Sequence, residues 1–588
     1  MSDLRTIWSA AASEARRRFG YVTSAPLHRV ESTVAAALLV LLLTLGWPAA
    51  AAPARGMVAT VHPVATEAGL DALRRGGNAV DAIVAAGLTL SVVDSHNSGL
   101  GGGCFLVIRR ANGEVVAIDG RETAPAKATR DMFLRGGKAV AELSQTGALA
   151  VGVPGEVAAF HQAVTKFGQR PWLEHCLAAA KLAEVGFPVT RNYASRLAGV
   201  AKDLAKFPAA RAIFLRPDGS PWKVGDTLRQ PDLAQTFRAL GEHGSDWFYR
   251  GPFAKATADW MKANGGLLTE ADFASYVAKP RTPLRTTYRG HEIIGFPPPS
   301  SGGVHVAQIL NILEHFDLKT LGANSPDFVH IVAEAMKLAF ADRAHWLGDA
   351  DFAPVPRGLV DKDYAAQLAK QIDLQRATRV PQHHTPPNAT TDVFNKHTTH
   401  FSAADAEGNW VACTATINTS YGSKVVVPGT GVVLNNEMDD FSAQPGTANF
   451  FGLVGAEANA VAPGKRPLSS MSPTLVLRNG QPILSVGAAG GPTIISQTLL
   501  AILHVVDFGR DPAEALAQPR FHQQWSPDEL RIEKKFSPEL RRELERRGHK
   551  LKELDAIGAC QVVGRARDGK GFTGAADPRV SDGKAAGF

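Results

Sequence analysis

Thr398 is the residue with the most direct chemical potential in this chain. It stands in Asn395-Lys396-His397-Thr398-Thr399-His400-Phe401-Ser402, after a polar run rich in Pro, His and Thr and before strand-like segments punctuated by glycine. A cut between His397 and Thr398 would give Thr398 a free α-amine beside its own hydroxyl, placing nucleophile and base on one residue. An α-amine titrates at about 7.7–8, so a useful share of it is unprotonated near neutral pH. A Thr-Thr pair is also common in strands, so its weight depends on the residues that accompany it downstream.

Other chemistries find less support. Cys104, Cys176, Cys413 and Cys560 are widely spaced, with no Cys-x-x-Cys or Cys/His zinc pattern. They read as buried small apolar side chains, although an exported protein could oxidise them. His383-His384, His397 and His400 lie among Pro and Thr, with no carboxylate or cysteine at ligand spacing, so no metal site is expected. The Gly-rich run Asn97–Gly103 precedes a strand and lacks Gly-Lys-Ser/Thr. It reads as close backbone packing, not as a phosphate loop.

The elements that must position this chemistry are mixed. Thr66–Arg75 and Asn78–Ser91 read as alanine-rich helices, the first ended by Gly76-Gly77 and the second capped by Asn78. Cys104–Arg109 and Val115–Asp119 read as strands, and 154–343 as mainly helical, with helices over Glu156–Phe167, Leu173–Val185 and Pro326–Arg343. Phe296–Gly303 is an irregular loop. From Ala366 to Lys396 hydrophobicity falls, which predicts an exposed, mobile segment suited to cleavage. After Thr398 the pattern predicts strands at His400–Ala404, Trp410–Ile417, Thr474–Arg478 and Ile483–Gly487, then a helix over Ile494–Phe508. Strands and helices in both halves predict a layered α+β protein.

With 588 residues, 45% hydrophobic and 20% charged, the chain has ordinary globular composition and enough length for two subdomains or one large layered domain. Residues 1–51 carry five arginines against three acids, hence +2 of the formal +7. The remaining charge is too thinly spread to suggest nucleic acid. Arg16-Arg17-Arg18 and Arg29, the apolar run Val34–Leu45 and Ala49–Ala52 together match a secretory signal. The run is short for a membrane span of about 20 residues, and a retained N-terminal anchor is the alternative. Either reading exports the body of the protein, to the periplasm or beyond.

Six motifs carry a resemblance: Asp119-Gly120-Arg121-Glu122-Thr123-Ala124-Pro125; Thr398-Thr399-His400-Phe401-Ser402; Thr416-Ile417-Asn418-Thr419; Leu434-Asn435-Asn436-Glu437-Met438-Asp439-Asp440-Phe441; Lys465-Arg466-Pro467-Leu468-Ser469-Ser470-Met471-Ser472-Pro473-Thr474; and Gly490-Gly491-Pro492. In these, and over nearly everything after residue 51, the chain resembles γ-glutamyltranspeptidase (glutathione hydrolase) of the N-terminal-nucleophile hydrolases. The resemblance implies a four-layer αββα sandwich built jointly by two subunits of one precursor. It implies Thr398 as nucleophile, Thr416 as the residue that hydrogen-bonds and orients it, and Gly490 and Gly491 as the oxyanion hole, where backbone N–H groups meet the tetrahedral oxygen. It implies Arg121, Ser469 and Ser470 for the substrate α-carboxylate, and Asn418, Glu437 and Asp440 for its α-ammonium. Glu437 is a carboxylate where some bacterial relatives carry glutamine. Gln444–Asn459 matches a lid, with Phe451 in place of a tip tyrosine; the hydrophobic cover is kept and the hydroxyl lost.

The resulting expectation is a zymogen that cuts itself at His397–Thr398 into a large subunit (52–397) and a small one (398–588), which stay together as a heterodimer. The mature enzyme would take the γ-glutamyl group of glutathione and related γ-glutamyl compounds onto Thr398. It would pass that group to water or to amino-acid and peptide acceptors, with no metal or organic cofactor. The rivals are a same-fold acylase acting on glutaryl-type side chains, a poly-γ-glutamate-processing enzyme, and an exported binding protein that keeps only the fold.

Overall fold

Gly103–Arg109 reads Gly-Cys-Phe-Leu-Val-Ile-Arg, and all of it is buried. A strand apolar on both faces needs cover on both, and the fold supplies it. In the computed structural model, which describes residues 54–389 and 402–588, Cys104, Leu106 and Ile108 face one apolar cluster with Ile83, Val84, Val157 and Phe160. Phe105 and Val107 face another, with Leu475, Val486, Ile309 and Leu499. The N-terminal 1–51 segment, the His397–Thr398 bond and His400 lie outside the described residues.

Two antiparallel sheets form the centre. The first has seven strands, in the order Lys584–Gly587, Gly56–Thr60, Ser402–Asp405, Trp410–Thr416, Gly103–Arg109, Val115–Gly120, Lys279–Arg281. The second has six, in the order Phe572–Ala576, Ala559–Arg565, Gln481–Ala489, Thr474–Arg478, His291–Gly295, Leu284–Tyr288. The Trp410–Thr416 and Gln481–Ala489 strands pack across the interface between the sheets. Helices Ala79–Val93 and Glu156–Phe167 cover the outer face of the first sheet, and Ser301–Leu313 and Thr493–Val506 that of the second. This is the αββα sandwich.

Local signals agree with these elements. Asn78 caps Ala79–Val93 in a capping box with Asp81, an arrangement worth about 1 kcal/mol. Gly76 follows the helix Pro63–Arg74 at φ 84°. The Asn97–Gly103 run is the close packing its glycines suggested: a Cβ at Gly102 would collide with the Thr416 carbonyl, and one at Gly101 with that of Val433. All four cysteines are buried and free.

One expectation needs correction. The segment from Ala366 begins inside a helix, Lys362–Ala369. Beyond that helix the chain is largely exposed, but it is stitched to the helix Pro326–Trp346. Lys337 Nζ donates to Thr378 O at 2.9 Å, and Thr378 N–H donates to Glu334 Oε2 at 2.7 Å. His384 N–H donates to Asp342 Oδ1 and Trp346 Nε1 to His384 O, each at 2.8 Å. Buried polar side chains on a neighbouring helix hold this backbone, and local composition carries no trace of them. His383 stacks on His345 at 3.5 Å between ring centroids.

Candidate active site

The sequence-predicted residues that the structure describes gather at one end of the two central sheets. Thr416 closes its strand opposite Gly103, and Gly120, just before Arg121, stands opposite Cys104. Ser402 pairs with Ala412. The described part of that strand therefore begins four residues after Thr398, and its partner strand ends at Thr416, four residues beyond Ala412.

Thr416 Oγ1 accepts the Asn418 N–H at 2.7 Å, turning the chain so that Asn418 sits at φ 75°. Asn418 Nδ2 donates to Asn436 O at 2.9 Å, and its Oδ1 accepts from no described residue. Asn435 clamps the next turn in place. Its Nδ2 donates to Gly101 O (2.8 Å) and Gly152 O (2.9 Å), and its Oδ1 accepts the Glu437 N–H at 3.1 Å.

Arg121 lies at the centre of this end and is 1% exposed. Its Nη1 contacts Glu437 Oε2 at 2.6 Å and Glu122 Oε2 at 3.5 Å. Its Nη2 donates to Asp440 Oδ2 at 2.7 Å, and its Nε to Pro467 O at 3.1 Å. The guanidinium and the ammonium acceptors, assigned from sequence to opposite charges of the substrate, thus touch one another. Arg466 supports the arrangement from behind, donating to Asp119 Oδ1 at 2.5 Å and to Arg121 O at 2.9 Å. Burial pushes Glu437 well above the ordinary carboxylate range; Arg121 opposes the shift, and the like charges of Glu122 and Asp440 add to it. Burial likewise raises Glu122 to about 8, and it raises Asp440, with Arg121 opposing in both. Arg121 itself is pushed up, because its three acids outweigh its own burial. One guanidinium cannot neutralise three carboxylates in a dry pocket, so the cluster must hold protons or accept a further cation.

Ser469 and Ser470 follow Pro467, whose carbonyl accepts Arg121 Nε, and precede the second-sheet strand Thr474–Arg478. The expected loop Phe296–Gly303 gives way to helix at Ser301, and this junction holds them: Ser469 N–H donates to Pro299 O, and Ser301 N–H to Ser469 O, both at 2.8 Å. Ser469 Oγ accepts the Met471 N–H at 3.2 Å, and Ser470 Oγ accepts Arg343 Nη2 at 3.1 Å. Each hydroxyl therefore spends a lone pair on the protein and keeps its proton for an incoming acceptor.

Gly490 (φ 132°) and Gly491 (φ 60°) link the Gln481–Ala489 strand to the helix Thr493–Val506. Both lie in the left-handed region that favours glycine. The Phe451 ring lies directly on Gly491, where a Cβ would strike it. The segment carrying Phe451 is latched without a tyrosine: Asn449 Nδ2 donates to Asp440 Oδ1 at 3.2 Å, and the Phe450 N–H to Asp439 Oδ2 at 3.0 Å.

A family model described as Gamma-glutamyltranspeptidase matches residues 65–588. The chain belongs to the γ-glutamyltranspeptidase family. The glutathione hydrolase proenzyme of Escherichia coli K12 is 47% identical over 537 residues, covering 91% of this chain and 92% of its own. Among solved structures, the cephalosporin acylase of Bacillus halodurans superposes with a TM-score of 0.81 at 28% identity, covering 92% of this chain and 98% of that one. The Helicobacter pylori γ-glutamyltranspeptidase is 40% identical with a TM-score of 0.53, covering 57% of this chain and 95% of that one.

Within this γ-glutamyltranspeptidase fold, several residues at the site escaped the sequence reading. Glu122 and Arg466 stand inside quoted motifs but drew no role, because a motif shows presence and not contact. Arg343 gave no signal at all: it is one basic residue near the end of a helical pattern.

Proposed function

We propose that the chain is the precursor of a glutathione hydrolase and γ-glutamyltransferase that makes its own nucleophile at Thr398. The Thr398 hydroxyl attacks the carbonyl of His397, and the peptide nitrogen leaves to become the α-amine. Water then releases residues 52–397 from the ester as the large subunit, and 398–588 is the small one. In turnover, that α-amine takes the hydroxyl proton as Oγ attacks the γ-glutamyl carbonyl. Gly490 and Gly491 donate backbone N–H groups to the oxyanion, each such donor being worth about 2.7–4 kcal/mol. The amine of cysteinylglycine leaves with the proton, and water or an acceptor amine resolves the γ-glutamyl ester. Thr416 orients the nucleophile. The layout of residues 1–51 supports export, and among the described residues no helix is long and apolar enough to cross a membrane.

The observation that carries this reading is the excess of carboxylate around Arg121. Glu437, Asp440 and Glu122 surround one guanidinium, a deficit that an α-ammonium would fill, while Ser469 and Ser470 offer protons to the α-carboxylate beside it. A second reading is favoured by the likeness to a cephalosporin acylase. A glutaryl side chain brings no ammonium, so it would leave these acids without a cation.

The test is intact mass and N-terminal sequencing of the purified protein after incubation at neutral pH, together with glutamate release from glutathione. Two chains are expected, one starting at Thr398. Thr398→Ala should stay whole and inactive, and Thr398→Ser should cut more slowly. A folded wild-type chain that never cuts, or an active Thr398→Ala, would overturn the proposal. A preference for glutaryl over γ-glutamyl anilides would establish the acylase.

A further inference from the structure

Arg121 and Arg343 are both buried at this site, and their partners differ. Arg121 is committed: Glu437 and Asp440 hold its two terminal nitrogens and Pro467 O its Nε. Arg343, from the helix Pro326–Trp346, is 4% exposed and meets only hydroxyls. Its Nε donates to Ser301 Oγ at 2.9 Å and its Nη2 to Ser470 Oγ at 3.1 Å. No carboxylate among the described residues stands within ion-pair distance of it. Burial lowers its pKa to about 10, with the charge of Asp440 opposing, so the guanidinium is still protonated at neutral pH.

A buried cation with no carboxylate in direct contact is costly, more so than one already paired. The cost falls when an anion arrives, and Arg343 is placed to meet one. It occupies a lone pair of Ser470, so the Ser470 proton turns away from Arg343 and toward the pocket. Ser301 Oγ, which accepts Arg343 Nε, donates in turn to Ser469 O at 2.7 Å. One guanidinium thus braces both serines and lends them positive charge.

We propose that Arg343 is a specificity-determining positioning residue for the substrate α-carboxylate, acting through Ser470 in support of Arg121. This rests on the proposed γ-glutamyl reading of the site.

The test compares three anilides on the mature enzyme: γ-glutamyl, 4-aminobutyryl (lacking the α-carboxylate) and glutaryl (lacking the α-ammonium). For Arg343→Gln, kcat/KM on the γ-glutamyl substrate should fall roughly 30- to 1000-fold, mostly through KM, as expected when one partner of a buried charge interaction is removed. On 4-aminobutyryl anilide it should change by less than about threefold, since that substrate never used the interaction. Arg343→Lys should recover part of the loss. With Ser470→Ala as background, Arg343→Gln should cost much less than it does alone. Equal losses on both substrates would mean a merely structural role and overturn the proposal, as would no loss on either. If Arg343→Gln stays uncut, Arg343→Lys carries the same comparison. Failure of the underlying reading looks different: the unaltered enzyme would then not prefer γ-glutamyl to 4-aminobutyryl anilide.

Discussion

Arg121 contacts Glu437 and Asp440 before any substrate is bound, so it belongs to the frame of the site as much as to its binding surface. Replacing it with alanine would leave three buried acids with no guanidinium among them. Breaking such a cluster costs about 3–5 kcal/mol. Arg121→Ala should therefore lower the melting temperature most at pH 9, above the raised Glu122 pKa of about 8, and less at pH 6. The sign comes from the carboxylates: Glu437, Glu122 and Asp440 are all raised in the folded state, so they take up protons as the pH falls and need the cation less. A variant as stable as the parent at pH 9 would refute the Arg-centred cluster.

Glu156 shows the same physics at the scale of an element. It opens the helix Glu156–Phe167, where the helix dipole favours a carboxylate. The dipole contributes about 0.3–1 kcal/mol, and full burial outweighs it. The group is pushed up to about 8 by burial, against the opposing hydrogen bonds of the Ser91 hydroxyl and the Gly99 backbone. A carboxyl raised on folding stabilises fully below its unfolded pKa and loses that contribution as pH climbs through the folded one. Stability should therefore drop between about pH 4.5 and 8 through this residue. Glu156→Gln should match the parent in urea unfolding at pH 5 and exceed it at pH 8.5, by on the order of a few kcal/mol. Equal midpoints at both pH values would mean that Glu156 is not the buried acid described. The segment around Phe451 illustrates how elements substitute for single residues. Phe451 brings no hydroxyl there, and Asn449 on Asp440 with Phe450 on Asp439 fastens the segment.

For the whole molecule, the arrangement of strands decides what cleavage can do. Gly56–Thr60 lies between Lys584–Gly587 and Ser402–Asp405, Gly103–Arg109 pairs with Trp410–Thr416, and His291–Gly295 pairs with Thr474–Arg478. Strands from either side of Thr398 therefore pair with one another within both sheets. After cutting, the two pieces should co-elute on size exclusion and separate only in denaturant, and neither should refold alone. Recovery of a soluble, folded small piece by itself would contradict this.

Much of this was legible from residue types in order. Apolar runs marked the central strands and Asn78 and Gly76 marked helix ends, whereas it was the family resemblance carried by the short motifs, not residue type alone, that implied one site for Arg121, Thr416, Asn418, Glu437, Asp440, Ser469, Ser470 and Gly490-Gly491. These signals are local, and local conformation and residue chemistry are what a linear pattern encodes. Only the tertiary structure decided that Arg121 touches Glu437 and Asp440, that Arg343 stands behind Ser470, and that the segment around Thr378 and His384 is bound to a distant helix. Each depends on side chains far apart in sequence meeting in a buried, low-dielectric space, where partners and protonation are set by proximity, which a chain read in one dimension does not contain.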